Sequence, residues 1–123
     1  ELPALDATID GTHADREDAC IGSWSDVDTS FAFELRVAAA GTYDVELRYS
    51  APASEAGARI VVECGDTAHE LVTQATPSWT EFVTVQVGAI EFSEAGEATL
   101  RVRATTRPST YIANLESVRI TAR

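Results

Sequence analysis

The stretch from Ser30 to Ser50, SFAFELRVAAAGTYDVELRYS, is the part of the sequence that decides the fold. Apolar side chains occupy every second position, from Phe31 to Val37 before the three alanines and from Tyr43 to Tyr49 after them. Successive side chains of a β-strand point to opposite faces, so each run has one apolar and one polar face. A helix would spread the same apolar side chains around its circumference. The pattern therefore predicts two strands, joined through Gly41 as an antiparallel hairpin, at the centre of a β-sandwich.

Short runs of the same kind continue through the rest of the chain, separated by turn residues. The further strands are predicted at residues 7–10, 59–64, 68–73, 79–87, 98–104 and 115–121. Gly65-Asp66-Thr67 predicts a second hairpin between two of these runs. Eight or nine short strands with turns at this spacing are typical of an all-β, antiparallel sandwich of the jelly-roll type. No internal repeat, low-complexity tract or linker interrupts the pattern, so residues 1–123 are predicted to form a single domain.

The charge of the chain excludes several classes of partner. A net charge of −11 and a pI near 4.4 argue against electrostatic binding to nucleic acid or to an anionic membrane. No apolar run approaches the roughly 20 residues that span a bilayer. The chain begins at Glu1 and contains no methionine, which is typical of a fragment or of a processed chain.

The sequence contains no pattern of catalytic residues. Its two histidines, His13 and His69, lie far apart, and no Gly-x-Ser-x-Gly elbow, phosphate-binding glycine loop or clustered His/Cys set is present. With 20 acidic residues, a chance pair of carboxylates at glycosidase spacing proves nothing. We therefore expect this domain to be non-catalytic.

Two features leave alternatives open at this point. The acidic segments 15–18 and 26–28 have the ligand chemistry of calcium sites, but solvated loop charges explain them better, because a calcium site also needs backbone carbonyls placed by the fold. Cys20 and Cys64 permit one disulfide, or they are two buried thiols that pack as small apolar side chains.

Aromatic residues near predicted loops are the remaining candidates for function. Trp24 precedes a turn, Trp79 follows Pro77-Ser78, and Tyr111 follows the loop 105–110. An aromatic face can stack on a pyranose ring, and the amide of Asn114 can meet two adjacent hydroxyls. Each tryptophan can instead plug one end of the sandwich, and Asn114 can bond its own backbone in a turn. The amino-acid composition does not decide whether these aromatic residues form a sugar-binding site or belong to the hydrophobic core.

Several motifs together carry a resemblance that covers nearly the whole chain. They are DATIDG at 6–11, IGSW at 21–24, FELRV at 33–37, AGTYDV at 40–45, RYSA at 48–51, SWTEF at 78–82, AGEATLRV at 95–102 and NLESV at 114–118. The sequence resembles carbohydrate-binding modules of families 6 and 35, and the ancillary sandwich domains of bacterial α-L-fucosidases and sulfatases. The resemblance implies the β-sandwich fold and a sugar site among the loops at one end.

In residue terms, the resemblance implies that Trp79 and Asn114 contact the sugar. Tyr111 and Arg107 are our further candidates for bonding its hydroxyl groups. Trp24 is an additional candidate, but Ser23 occupies the position where those families commonly have an aromatic residue, and Trp24 follows it. One step along a strand reverses the direction of a side chain, so this shift points Trp24 toward the core.

The same families often hold a structural calcium between paired acidic residues in a Glu-Ala-Glu opening. Pro3-Ala4-Leu5 stands at the matching positions and offers no carboxylate, and Glu116 replaces an aspartate that is usual near the last strand. We therefore predict that the calcium is absent and that the domain needs no cofactor.

The resemblance implies a non-catalytic carbohydrate-binding module that tethers a secreted glycoside hydrolase or sulfatase to glycan. Its expected partners are an oligo- or polysaccharide and a covalently linked catalytic domain, in a secreted, periplasmic or cell-surface protein. The alternative is a structural domain that packs on its catalytic neighbour and binds no glycan.

Overall fold

The computed structural model describes residues 2–3, 8–10, 15–16, 20–22, 24–25, 27–106 and 111–122, with side chains from residue 20 onward. Four short strands come first: β1 (Leu2–Pro3), β2 (Thr8–Asp10), β3 (Asp15–Arg16) and β4 (Ile21–Gly22). Seven longer strands follow: β5 (Ser30–Val37), β6 (Gly41–Ser50), β7 (Arg59–Cys64), β8 (Thr67–Val72), β9 (Val83–Phe92), β10 (Gly96–Thr106) and β11 (Asn114–Ala122).

These strands form two sheets that enclose one core. The six-stranded sheet has the order β3-β4-β11-β6-β9, with β1 also paired to β11, and the five-stranded sheet has the order β2-β5-β10-β7-β8. All strand pairs are antiparallel. The predicted all-β antiparallel sandwich is confirmed. The described part of the chain contains no helix that is long and apolar enough to cross a membrane.

The predicted hairpin between the two runs of the stretch 30–50 is wrong. β5 pairs with β2 and β10 in one sheet, whereas β6 pairs with β11 and β9 in the other. The connection through residues 38–40 therefore crosses from one sheet to the opposite sheet. Strict alternation shows which face of each strand is apolar. It does not show which strand is the pairing partner, because the same face is apolar in a hairpin and in two strands that face each other across a core.

The hairpin predicted around Gly65 is confirmed, with Cys64 opposite Thr67 across a two-residue turn. Gly65 has φ +58°, a left-handed conformation that costs glycine little. Cys64 closes β7 at this end of the sandwich, whereas Cys20 precedes β4, whose Ile21 pairs with Leu115 near the opposite end. Both cysteines are buried and neither forms a disulfide, which is the second of the two alternatives.

The core is formed by the inward faces of β5, β6, β7, β10 and β11. Its largest completely buried side chains are Trp24, Tyr49, Phe31, Phe33, Ile21 and Leu47. Burial of an aromatic or large aliphatic side chain stabilises a fold by roughly 1.5–3 kcal/mol. Both runs of the 30–50 stretch thus supply the apolar side chains that the alternation predicts.

A histidine closes one open side of the sandwich, where the edge strands β8 and β9 of the two sheets approach each other. His69 of β8 lies against Gly88 of β9, and its Nε2 is 2.6 Å from the carbonyl oxygen of Ala89. A β-carbon on Gly88 would lie 2.6 Å from Cγ and Nδ1 of the His69 ring. The imidazole therefore occupies the space that any other residue at position 88 would fill.

Candidate functional site

Three connecting segments meet at the end of the sandwich where β6 ends and β11 begins. They are residues 51–58, residues 73–82 and the segment that enters β11. Trp79 lies in the second segment, Tyr111 in the third, and Asn114 is the first residue of β11. β9 begins at Val83, so Trp79 belongs to the preceding loop and not to the strand predicted over 79–87. The structure thus brings together three of the five residues that the sequence singled out.

Trp79 and Tyr111 form an aromatic corner, the name used below for this pair of rings. Their centroids are 6.0 Å apart and their planes are inclined by 88°. This edge-to-face arrangement is a favourable geometry for two aromatic rings. Tyr111 is 39% exposed and Trp79 is half-buried, so the corner faces solvent while its base is packed. Two perpendicular aromatic surfaces open to water are suited to a ligand with apolar ring faces.

The backbone of Trp79 is fixed by the ends of two strands. Ser50 Oγ donates a hydrogen bond of 2.8 Å to the Trp79 carbonyl oxygen, and Asn114 Nδ2 donates a longer one of 3.5 Å to the same oxygen. Ser50 and Asn114 are neighbours across the β6–β11 pair. The amide nitrogen of Asn114 thus positions Trp79, and its Oδ1 has no partner among the described residues and is free to accept from a ligand.

Thr76 ties the Trp79 loop to the loop that follows β6. Its Oγ1 accepts from the Ala51 amide at 3.0 Å and donates to the Ser78 carbonyl at 2.9 Å, and its own amide donates to the Ala51 carbonyl at 2.8 Å. Ser78 Oγ in turn accepts from the Thr80 amide at 3.2 Å. These bonds fix the backbone of the Trp79 loop before any ligand arrives, which reduces the entropy lost on binding.

A tyrosine beneath these loops has a perturbed ionisation. The hydroxyl of Tyr49 accepts a 2.9 Å hydrogen bond from the Gln74 amide. Burial raises the pKa of Tyr49 above its ordinary value, and the Gln74 hydrogen bond lowers it by a smaller amount. The phenol is therefore a neutral structural group at physiological pH.

Glu55 is a site residue that the sequence interpretation missed. Its Oε2 accepts a 3.2 Å hydrogen bond from the Tyr111 amide, which places a carboxylate directly beside the aromatic corner. The signal was weak, because Glu55 is the one charged residue in a loop of small residues, APASEAGA at 51–58. Only the folded chain shows that this loop packs against residue 111.

Trp24, the additional candidate, does not belong to the site. Its side chain is completely buried, its ring packs edge-to-face on Phe31 with centroids 4.7 Å apart, and its Nε1 donates to the Thr29 carbonyl. A buried ring has no face available to a sugar, so the prediction of ligand contact is wrong and the core alternative is correct. The Trp24 carbonyl accepts a 2.8 Å hydrogen bond from the Ile112 amide, so the residue supports the Tyr111 segment from below.

Two of the earlier predictions lie beyond what the structure tests. Arg107 falls outside the described residues. Among the residues that are described, no group of three or more His, Cys, Asp or Glu side chains could hold a metal ion. The side chains near Pro3 are outside the description, so the absence of calcium stays a prediction.

Of the three other surface grooves described, one is lined by Glu34, Leu35, Arg36 and Glu97, and the remaining two also differ in chemistry from the aromatic corner. One, of about 210 Å³, lies on the outer face of the six-stranded sheet and is lined by Glu46, Arg48, Thr84, Glu116, Ser117 and Arg119. It contains no aromatic side chain, and the Arg48–Glu116 ion pair of 3.0 Å lies within it. The other lies at the opposite end of the sandwich, between the β7–β8 and β9–β10 turns, and four carboxylates line it. Neither groove presents two open aromatic rings.

Comparison with known proteins supplies the context for this geometry. A family model described as "Domain of unknown function (DUF5077)" matches residues 8–123. No curated protein matches the chain in sequence.

Solved structures share the fold at low sequence identity. A family 35 carbohydrate-binding module from Clostridium thermocellum superposes with a TM-score of 0.77 at 20% identity, covering 98% of this chain and 96% of that one. The module CBM6cm-2 of Cellvibrio mixtus lichenase 5A, solved in complex with cellotriose, gives a TM-score of 0.76 at 18% identity, with 99% and 95% covered. These similarities confirm the carbohydrate-binding-module fold.

One similar structure is a much longer protein. The Podospora anserina GH26-CBM35 β-(1,4)-mannanase superposes with a TM-score of 0.75 at 20% identity over 98% of this chain. The chain spans 27% of the length of that mannanase.

Proposed function

Because the chain belongs to the family described as "Domain of unknown function (DUF5077)" and folds as carbohydrate-binding modules do, we propose that it is a non-catalytic module that binds glycan. The observation that carries the proposal is the aromatic corner at the end of the sandwich, where the Tyr111 ring is exposed and the Trp79 ring is half-buried. An aromatic face stacks on the apolar face of a pyranose, and this is the contact that a partly exposed Trp–Tyr pair offers.

Polar atoms beside the corner provide the directional contacts. The free Oδ1 of Asn114 and the carboxylate of Glu55 can each accept a hydrogen bond from a sugar hydroxyl. Arg107, four residues before Tyr111 in the chain, is proposed as a further hydroxyl partner. Few rigid contacts of this kind support modest affinity, with a dissociation constant in the range of roughly micromolar to millimolar.

We extend the proposal to the setting of the domain. A module of this type would tether a covalently linked catalytic domain, a glycoside hydrolase or a sulfatase, to its substrate in a secreted, periplasmic or cell-surface protein. The mannanase comparison, in which the matching domain is one part of a longer enzyme, supports this arrangement. The module is expected to work without calcium, which elemental analysis of the purified domain would test.

A purely structural domain is the competing proposal, and a large apolar docking face would favour it. Among the described residues, only three large apolar side chains are exposed: Val27, Val72 and Tyr111. One of these three belongs to the aromatic corner. This surface favours ligand binding over docking.

The test is a glycan array probed with the wild-type domain, Trp79→Ala and Phe92→Ala. Phe92 is a matched control, because it is a partly exposed aromatic residue that packs on Tyr43 at the opposite end of the sandwich. We expect glycan binding that is lost in Trp79→Ala and kept in Phe92→Ala. Binding that survives Trp79→Ala would move the site elsewhere. No binding by the wild type, together with a large loss of stability in Trp79→Ala, would make Trp79 a structural plug.

A further inference from the structure

The charged groups around the aromatic corner are distributed unequally in sign. Glu55 lies against the Tyr111 backbone at 3.2 Å, and Glu81 lies in the Trp79 loop, where its carboxylate accepts a 3.2 Å hydrogen bond from Ser78 Oγ. Both carboxylates are held by hydrogen bonds to residues of the corner loops. The corner is therefore flanked by negative charge, from Glu81 in the segment that carries Trp79 and from Glu55 hydrogen-bonded to the segment that carries Tyr111.

Among the described residues at this end of the sandwich, which exclude Arg107, positive charge to balance these carboxylates is scarce. The chain contains no lysine, and its nine basic residues are all arginine. In the described part of this end of the sandwich, Arg48 forms an ion pair with Glu116 at 3.0 Å, and Arg59 forms one with Glu70 at 2.8 Å. A paired guanidinium offers little to a ligand anion, because its charge is already compensated.

From this distribution we infer that Glu55 acts as a charge filter, so that the corner binds uncharged or amine-bearing sugars and rejects uronate and sulfated ones. The inference rests on the proposed glycan binding. Glu55 is bonded to the backbone of Tyr111, one of the two corner residues, so a carboxylate or sulfate on a sugar bound at the corner would be repelled by the Glu55 carboxylate. The net charge of −11 adds a longer-range repulsion to the same effect. A neutral hydroxyl at that position instead donates a hydrogen bond to Glu55.

The filter makes a glycoside hydrolase acting on neutral polysaccharide a better match for the parent enzyme than a sulfatase. A sulfatase would need a module that retains sulfated chains. The inference therefore separates two parent enzymes that the fold leaves equivalent.

The experiment uses glycan pairs that differ only in charge: oligosaccharides with and without sulfate, and an oligogalacturonide in methyl-esterified and de-esterified form. The proteins are wild type, Glu55→Gln and the control Glu94→Gln. Glu94 is exposed in the turn between β9 and β10 at the opposite end, so both variants change the net charge equally. The glutamine amide oxygen at position 55 can still accept from the Tyr111 amide.

We expect the wild type to bind the neutral member of each pair, and we expect Glu55→Gln to narrow the neutral-to-anionic affinity ratio by at least about fivefold. Glu94→Gln should leave the ratio unchanged, and the difference between Glu55→Gln and wild type should shrink at about 1 M salt, where the Debye length is about 3 Å. Preference of the wild type for the anionic member, or equal ratios in the two variants, would overturn the inference while leaving glycan binding intact. Absence of binding to every member of the pairs would overturn the proposed function itself.

Discussion

The contact between His69 and Gly88 allows a prediction whose size follows from the geometry. In Gly88→Ala, the new methyl group would lie 2.6 Å from Cγ and Nδ1 of the imidazole and 2.8 Å from Cδ2. These are the three atoms at the base of the ring, which move little when the ring turns, so a small rotation of His69 does not relieve the contact. The φ of Gly88 is not in the left-handed region, so backbone strain contributes nothing.

Two terms add in this variant. Overpacking of a filled space costs about 1–3 kcal/mol, and displacement of the ring breaks the 2.6 Å hydrogen bond to Ala89, worth about 0.5–1.5 kcal/mol. We therefore expect Gly88→Ala to lower the free energy of unfolding by about 2–4 kcal/mol. Urea denaturation followed by tryptophan fluorescence measures this value, because the completely buried Trp24 reports loss of the core.

A double-mutant cycle isolates the cause. His69→Ala removes the ring, so Gly88→Ala in that background should be nearly neutral, or stabilising by about 0.5 kcal/mol through the stiffer unfolded chain. The expected coupling between the two positions is thus about 2 kcal/mol or more, in the range measured for residues in contact. If Gly88→Ala lowers the free energy of unfolding equally in the two backgrounds, the reasoning is refuted, because the new methyl group would then not be in contact with the His69 ring.

Three further predictions concern the core, the site and the response to pH. Trp24→Ala should destabilise the domain by about 3–5 kcal/mol in urea denaturation, because it empties a filled core position; a loss below about 1 kcal/mol would contradict its role as a plug. Ser50→Ala should weaken glycan binding severalfold in calorimetry with little change in melting temperature, because it frees the Trp79 carbonyl; unchanged affinity would show that Asn114 alone positions the loop. Burial raises the pKa of Tyr49 above 10.0 and that of Cys64 above 9.0, so the unfolded chain loses these protons first as the pH rises. The contribution of both groups to the free energy of unfolding should be present below pH 9 and should decline as the pH rises above it. Above pH 10 this decline should be smaller in Tyr49→Phe than in the wild type.

The fold was largely predictable because alternation is a local signal. The runs Phe31–Val37 and Tyr43–Tyr49 show their buried faces in the sequence itself, and the structure places those faces in the core. Which strands pair with each other was not predictable in the same way. A hairpin and a crossing between sheets leave the same pattern, so β5 and β6 were assigned to each other when each pairs with strands far along the chain.

For the candidate site, resemblance and physics contributed different parts. The positions of Trp79 and Asn114 came from the family pattern, and the one-residue shift at Ser23 correctly indicated that Trp24 faces inward. Glu55 could not be predicted, because its role depends on a hydrogen bond between loops 56 residues apart in the sequence.

The crossing between β5 and β6 has a consequence for how the chain acquires its structure. Among the seven longer strands, only β7 and β8 are both consecutive in the described chain and paired with each other. Phe33 lies opposite Leu100, and Val45 lies opposite Ile120, so each is paired with a residue far along the chain. Neither sheet can be completed by strand pairing that starts at a turn and extends from it. For most strand pairs, the entropy cost of closing a long loop must be met before the pairing stabilises the fold. Folding on the timescale of milliseconds to seconds is typical of such topologies. During synthesis, β6 emerges from the ribosome long before β11, so the backbone edge of β6 that pairs with β11 must remain without that partner until β11 is made.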